Sequence, residues 1–195
     1  MEVAADNRVS DIAIKCSAQS SKTQTFLNLA SWCVSEDPGP AMWVMAAKDE
    51  AEAFVRDRVA PTFKNCRPVE GAKIRESKLE FTFATMPFYF VGAGSPSKLQ
   101  SKPIRWLFLD EVRNYLAGAL DTVLKRTRAF WNSRRLIIST PPCWRRLAVQ
   151  NIRQRNPGRV PGRPARQRLT ITISSTPGNR TTTSATRGRK SATAS

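Results

Sequence analysis

Ile12-Ala13-Ile14-Lys15-Cys16-Ser17-Ala18-Gln19-Ser20-Ser21-Lys22-Thr23 passes from a short apolar run, through a loop of small and polar residues, to a cation and a hydroxyl. The apolar run reads as a strand entering a loop. From Lys22 the apolar residues fall at Phe26, Leu27, Leu29, Ala30, Cys33 and Val34, the spacing of a helix with one buried face. That helix stops before Asp37-Pro38-Gly39-Pro40. A strand, a loop and a helix in this order surround the loop with backbone N–H groups and a helix N-terminus, which is how proteins hold phosphate. The loop aligns with the pattern G-x-x-x-x-G-K-[ST], with Cys16 and Ser21 in place of its two glycines. On its own it reads first as a Ser-rich turn capping a helix.

Outward from this unit the same alternation continues. Met42 to Ala47 is continuously apolar, as a strand buried on both faces would be. Asp49, with Glu52 three residues on, reads as the cap of a helix that turns Ala51, Phe54, Val55 and Val59 inward and ends before Pro61. Leu79 to Phe83 alternates at period two and Phe88 to Val91 follows it, which suggests a hairpin or paired strands. Ile104 to Leu109 is another buried strand. Leu116, Leu120, Val123, Leu124, Thr127 and Trp131 mark a helix, and Leu136 to Ile138 a last strand. Strands alternating with helices imply right-handed crossovers and a mainly parallel sheet covered on both faces: an α/β three-layer sandwich of the P-loop NTPase kind over residues 1–142.

Two further strand ends carry chemistry. Trp106-Leu107-Phe108-Leu109-Asp110-Glu111 delivers two adjacent carboxylates to the carboxyl end of a buried strand, where open α/β sheets bind ligands. The alternative is an acidic strand end that caps the next helix. Ser139-Thr140-Pro141 places two hydroxyls at the end of the last strand, and these would lie near a γ phosphate if that strand runs between the other two. In a nucleotide site Lys22 reaches the β and γ phosphates, Thr23 and Asp110 hold Mg²⁺, and Glu111 orients or deprotonates the attacking water. The three elements in one order, each at a strand's carboxyl end, point to a nucleotide hydrolase using ATP and Mg²⁺. Arg126 and Arg128 precede the last strand and read either as charges for a neighbour's γ phosphate or as a solvated helix face. Lys98 and Lys102 read either as DNA-backbone contacts or as surface charges.

Composition narrows the field. The chain has 195 residues and no histidine, which excludes Ser/His/Asp and Cys/His nucleophilic sites and any His-ligated metal. Cys16, Cys33, Cys66 and Cys143 form no CxxC pair and no secreted-domain spacing, so they are expected to be reduced and the protein cytoplasmic. The first residues lack the apolar core of a signal peptide, and the longest uncharged run, Phe81 to Ser97, is interrupted by proline and glycine, so no membrane role is expected. Residues 1–142 hold 20 basic and 15 acidic side chains, a net of +5, whereas residues 143–195 hold 12 basic and none acidic, a net of +12. Only 14 of those last 53 residues are apolar, so the segment is expected to be a largely disordered basic tail in which only Leu169 to Ile173 could form a strand. Its charge suits non-specific contact with double-stranded DNA.

The loop Cys16 to Thr23, the segment Gly94 to Pro103, Leu107-Phe108-Leu109-Asp110-Glu111-Val112 and Ile138-Ser139-Thr140-Pro141 together resemble the ATPase domain of GpA-type phage terminase large subunits, over roughly residues 10–142. The resemblance implies a motor that drives viral DNA into a capsid. Its nucleotide would be held by Cys16, Ser17, Ala18, Gln19, Ser20, Ser21, Lys22, Thr23, Ser139 and Thr140, its metal by Thr23 and Asp110, and its catalysis carried by Lys22 and Glu111. It further implies double-stranded DNA, a terminase small subunit and a portal as partners, and self-association as a homo-oligomer. Arg113 departs from the family pattern, which commonly continues with another acid. Fifteen residues precede Cys16, so the upstream segment that helps hold adenine is expected to be missing. Residues 143–195 contain no carboxylate for a two-metal nuclease, so the expectation is a truncated motor without a nuclease domain. The rival readings are a helicase-like ATPase, which would need a second motor-like domain, and a non-catalytic remnant that binds nucleic acid through its tail.

Overall fold

The computed structural model describes residues 6, 9–15, 21–94, 102–116, 118–139, 167–174 and 182–187. The loop residues Cys16 to Ser20, Lys98, Thr140 and most of the tail, Trp144 included, lie outside the described residues. Strand β1 (Val9–Lys15) leads to helix α1 (Lys22–Glu36), then β2 (Ala41–Met45) and α2 (Lys48–Phe54). A π-helical turn (Val55–Val59) continues into α3 (Ala60–Asn65) and α4 (Arg67–Ala72). β3 (Lys73–Ser77), β4 (Glu80–Phe83) and β5 (Pro87–Gly92) follow, then β6 (Trp106–Leu109), α5 (Ala119–Arg126) and β7 (Arg134–Ser139). Two strands from the tail, β8 (Gln167–Ser174) and β9 (Thr182–Arg187), complete the described elements.

The strands form one sheet in the order β3-β4-β5-β2-β6-β7-β1-β8-β9. The run from β5 to β8 is parallel, and only β4 against β3 and β5, and β9 against β8, are antiparallel. Side chains alternate across each strand, so the sheet buries both faces. On one face Ile12, Ile14, Trp43, Phe88, Phe90, Trp106, Phe108, Leu136 and Ile138 pack against α1 and α3 through Phe26, Leu27, Leu29, Ala30 and Phe63. Met42, Val44, Leu107, Leu109 and Ile137 meet Leu120, Val123 and Leu124 of α5 on the other. Trp43 anchors the first face: its ring lies parallel to that of Phe108 with centroids 5.2 Å apart and meets Phe26 edge-on at 6.0 Å. The three-layer α/β architecture expected from the alternating pattern is therefore present.

Several local expectations are corrected. The helix predicted from Asp49 begins at Lys48, with Ala47 as its cap residue, so Asp49 and Glu50 supply first-turn acids. Pro61 does not lie beyond the helix but at the start of α3. It has no N–H to donate, and a π-helical turn that ends at Val59 lies just before it. The helix predicted from Leu116 to Trp131 is shorter at both ends. Gly118, at φ 81°, precedes its first turn, and Leu116 and Trp131 are exposed. Of the tail, expected to be without order for most of its length, β8 contains the one stretch that reads as strand-competent and pairs in parallel with β1, while no sequence pattern marks β9.

Gly92, at the end of β5, lies under the entry to α2. A Cβ there would stand 2.5 Å from the Lys48 nitrogen and 2.7 Å from the Ala47 carbonyl carbon, both backbone atoms. Gly92→Ala is expected to destabilise the domain by about 1–3 kcal/mol, read from urea unfolding, whereas Gly71→Ala, whose Cβ meets nothing within 4 Å, is expected to be neutral or stabilising.

Candidate nucleotide-binding site

β7 lies between β1 and β6, the arrangement on which the reading of Ser139 depends. Lys15 pairs with Ser139, and Leu109 pairs with Ile137, so the carboxyl ends of all three strands open on one edge of the sheet. α1 starts above that edge. Its first two residues then meet the two that leave β6: Lys22 Nζ is 2.5 Å from Glu111 Oε1, and Thr23 Oγ1 is 3.5 Å from Asp110 Oδ2. Residues 87 and 89 positions apart in sequence thus form one polar cluster, held by a fully buried hydrophobic sheet beneath.

Backbone strain collects at this point. Among the described residues only Ser21 (φ 54°) and Glu111 (φ 46°) are non-glycine residues with positive φ, and they flank the cluster from its two sides. Each left-handed residue costs on the order of 1 kcal/mol, a cost that persists where the surroundings fix the conformation. Ser21 is thereby the residue that occupies a glycine position of the phosphate-binding pattern with a glycine-like backbone. Its carbonyl accepts from the Thr25 N–H at 3.1 Å, which joins it to the helix.

The electrostatics of the cluster are uneven. The Asp110 carboxyl is pushed up to about 6, by burial first and by the neighbouring Glu111 charge second, against the pull of Lys22, the Glu111 N–H and the Thr23 hydroxyl. Its Oδ1 is buried without a hydrogen-bond partner. A buried carboxylate oxygen without a donor fits a hard cation, and Mg²⁺ takes one or two protein oxygens and completes its shell with phosphate and water. Asp110 and Thr23 therefore fit the metal. Among the described residues no group of three or more His, Cys, Asp or Glu could hold an ion by itself.

Two contributors carry no mark in the sequence for the roles they play. Tyr115 is partly buried and donates its hydroxyl to the Val44 carbonyl at 2.6 Å, the same carbonyl that accepts the Asp110 N–H at 3.2 Å, and so braces the strand end that carries the carboxylates. Arg113, in the sequence only a departure from the family pattern, has Nε 3.3 Å from Glu111 Oε2. No spacing rule marks either residue. Ser21, Lys22, Thr23, Asp110 and Glu111 are brought together; Ser139 closes β7 on the same edge; Cys16, Ser17, Ala18, Gln19, Ser20 and Thr140 lie outside the described residues. Arg126 ends α5 where its carbonyl accepts from the Ile104 N–H, at the opposite edge of the sheet. About 20 Å of strand separates that edge from Asp110, so neither Arg126 nor Arg128 reaches this chain's own cluster. Lys102 is engaged on the surface, 3.5 Å from the Tyr89 ring centroid and 3.9 Å from Glu80 Oε2.

A mainly parallel α/β sheet, with a lysine and a hydroxyl at the start of the first helix facing paired carboxylates two strands away, is the architecture of the P-loop NTPase fold. The chain belongs to the phage terminase large subunit gpA ATPase-domain family, whose model matches residues 1–155. Similar solved structures agree in fold. The large terminase ATPase domain of Thermus phage P74-26 superposes with a TM-score of 0.57 at 18% identity, over 68% of this chain and 60% of that one. The large terminase of the thermophilic bacteriophage D6E gives a TM-score of 0.57 at 14% identity, over 84% of this chain and 39% of that one. This chain thus spans less than two thirds of either. No curated protein matches it.

Asp110 makes stability depend on pH in a defined direction. Its folded value lies above the ordinary 3.8, so between about pH 4 and 6 the folded chain binds more protons than the unfolded one, and stability falls as pH rises through that window. Asp110→Asn is expected to remove this fall and to leave the nucleotide-free protein more stable than the parent at pH 7.5, by on the order of 2 kcal/mol. Thermal melts of both proteins from pH 4 to 8 measure it; parallel curves would refute the burial of an ionised Asp110. Ser21→Gly is expected to stabilise by about 1 kcal/mol, checked by the same melts, and loss of stability would contradict the left-handed backbone.

Proposed function

We propose that this chain binds Mg-ATP at Lys22, Thr23, Asp110 and Glu111 and hydrolyses it as the motor domain of a phage DNA-packaging terminase, acting on double-stranded DNA together with a terminase small subunit and a portal. The observation that carries the reading is the meeting of Lys22 with Glu111 and of Thr23 with Asp110 at one sheet edge. Family membership and the fold shared with phage terminases support it.

Each side chain has a role that follows from its position. Lys22, only 11% exposed, exchanges the Glu111 carboxylate for the β and γ phosphate oxygens. Thr23 and Asp110 would hold Mg²⁺, which would neutralise charge on those oxygens. Glu111, relieved of Lys22, accepts a hydrogen bond from water and takes its proton as the water oxygen bonds to the γ phosphorus and the bond from that phosphorus to the β,γ-bridging oxygen breaks, ADP leaving with the electron pair. Ser139, the last residue of β7, and Thr140, next in sequence, are assigned to sensing the γ phosphate through their hydroxyls. No nuclease step is assigned to residues 143–195, which contain no Asp, Glu or His.

Lys22→Ala is expected to abolish the thermal stabilisation that Mg-ATP gives the parent, about 2.7 kcal/mol at one hundred times the dissociation constant. Glu111→Gln is expected to retain that stabilisation and lose phosphate release. Equal stabilisation of Lys22→Ala and parent would overturn the site. DNA contact is assigned to the basic tail and is expected to be independent of sequence. Because β8 covers the β1 edge, the tail is tested by substitution and not by deletion. Replacing Arg145, Arg146, Arg153, Arg155, Arg159 and Arg163 with Gln should flatten the slope of log affinity against log salt on duplex DNA, by up to about 0.9 for each phosphate no longer neutralised. An unchanged slope would place DNA binding on the folded domain.

A further inference from the structure

The Glu111 carboxylate stands between two cations. Oε1 is 2.5 Å from Lys22 Nζ, and Oε2 is 3.3 Å from Arg113 Nε. The two cations differ in freedom. Lys22 is fixed at the start of α1 and almost enclosed. Arg113 lies on the short 3-10 turn Val112–Asn114 directly after the carboxylates, with 43% of its side chain exposed. The turn itself is tied to Glu111, since the Asn114 N–H donates to the Glu111 carbonyl at 2.9 Å. Arg113 therefore stays with Glu111 whatever α1 does.

We infer that Arg113 is a positioning residue that holds Glu111 by its second oxygen, so that Lys22 can leave for the phosphates while the carboxylate remains in place. The inference rests on the proposed ATP site and adds to it a residue that touches neither phosphate nor metal. In the nucleotide-free protein Lys22 and Glu111 neutralise each other, so neither is available for its own task. Moving Lys22 onto phosphate exposes the Glu111 charge beside the Asp110 charge, and like charges on adjacent residues repel. A guanidinium already on Oε2 lowers the cost of that exchange. It also stops the carboxylate from swinging after the ammonium, and it leaves Oε1, the oxygen Lys22 vacates, as the one that faces water. Without Arg113 the Glu111 charge is less compensated at Oε2, and the carboxylate holds Lys22, 2.5 Å away, more tightly.

The test is a double-mutant cycle on binding, read by isothermal titration of the full chain with Mg²⁺ and the β,γ-imido analogue of ATP. Arg113→Ala is expected to weaken binding about two- to five-fold in the parent, the range of a partly exposed ion pair. In the Glu111→Gln background, where Lys22 has no carboxylate to leave, it is expected to change nothing. Arg113→Lys restores the charge without the fork and should recover most of the affinity; it also serves if Arg113→Ala fails to fold. With ATP as substrate, Arg113→Ala should raise KM and lower kcat together. An equal effect in both backgrounds, or none in either, overturns the inference and leaves the site standing. Failure of the parent to bind the analogue at all overturns the site, and the inference with it.

Discussion

The contact of α1 with the end of β6, Lys22 on Glu111 and Thr23 beside Asp110, is the constraint on which the rest of the structure depends. It joins groups whose strands are not neighbours, because β7 runs between them. For the four side chains to meet, three strands must be parallel, in register and level at their carboxyl ends, and the helix must start at a fixed height above them. The aromatic packing of Trp43, Phe108 and Phe26 sets that height, since Phe26 lies one turn below Lys22 and is fully buried against the sheet. Hydrophobic packing, worth about 25 cal/mol for each Å² removed from water, thus sets the geometry of a polar cluster that is costly to assemble by itself.

That cost is visible in three places. Asp110 is carried into the fold with its carboxyl pushed up and one oxygen without a donor, and both Ser21 and Glu111 adopt left-handed backbones without being glycine. A stability-optimised domain would have none of these. Their coincidence at one sheet edge is the pattern expected of a site kept for a ligand that supplies the missing charge. At the opposite edge Arg105 reaches Asp37 and the Pro38 carbonyl and packs over Trp106.

Much of this is legible in the sequence, for a physical reason. Buried parallel strands need continuous apolar runs, and the runs at Ile12, Met42, Ile104 and Leu136 each mark one. Asp110 and Glu111 follow one of these runs directly, and Lys22 and Thr23 open the helix after the loop that leaves another, so all four can be named from the chain alone. What stays hidden depends on pairing and not on pattern. β3, Lys73-Ile74-Arg75-Glu76-Ser77, has a polar and largely exposed sequence and is a strand because β4 lies beside it. The start of α5 is set by Gly118 and not by its apolar period, and the π-helical turn reconciles Pro61 with a helix that packing requires to continue. The roles of Tyr115 and Arg113 arise from the turn after Glu111, whose shape no spacing encodes.

The central claim is that the Lys22–Glu111 pair is the resting form of a phosphate site. A crystal structure of the chain with Mg²⁺ and the β,γ-imido analogue of ATP tests it most directly. The account predicts Lys22 Nζ on the β and γ phosphate oxygens, the metal held by Thr23 Oγ1 and Asp110 directly or through one water, and Glu111 still in place beside Arg113. A nucleotide bound elsewhere on the molecule, with the Lys22–Glu111 pair intact, would contradict it.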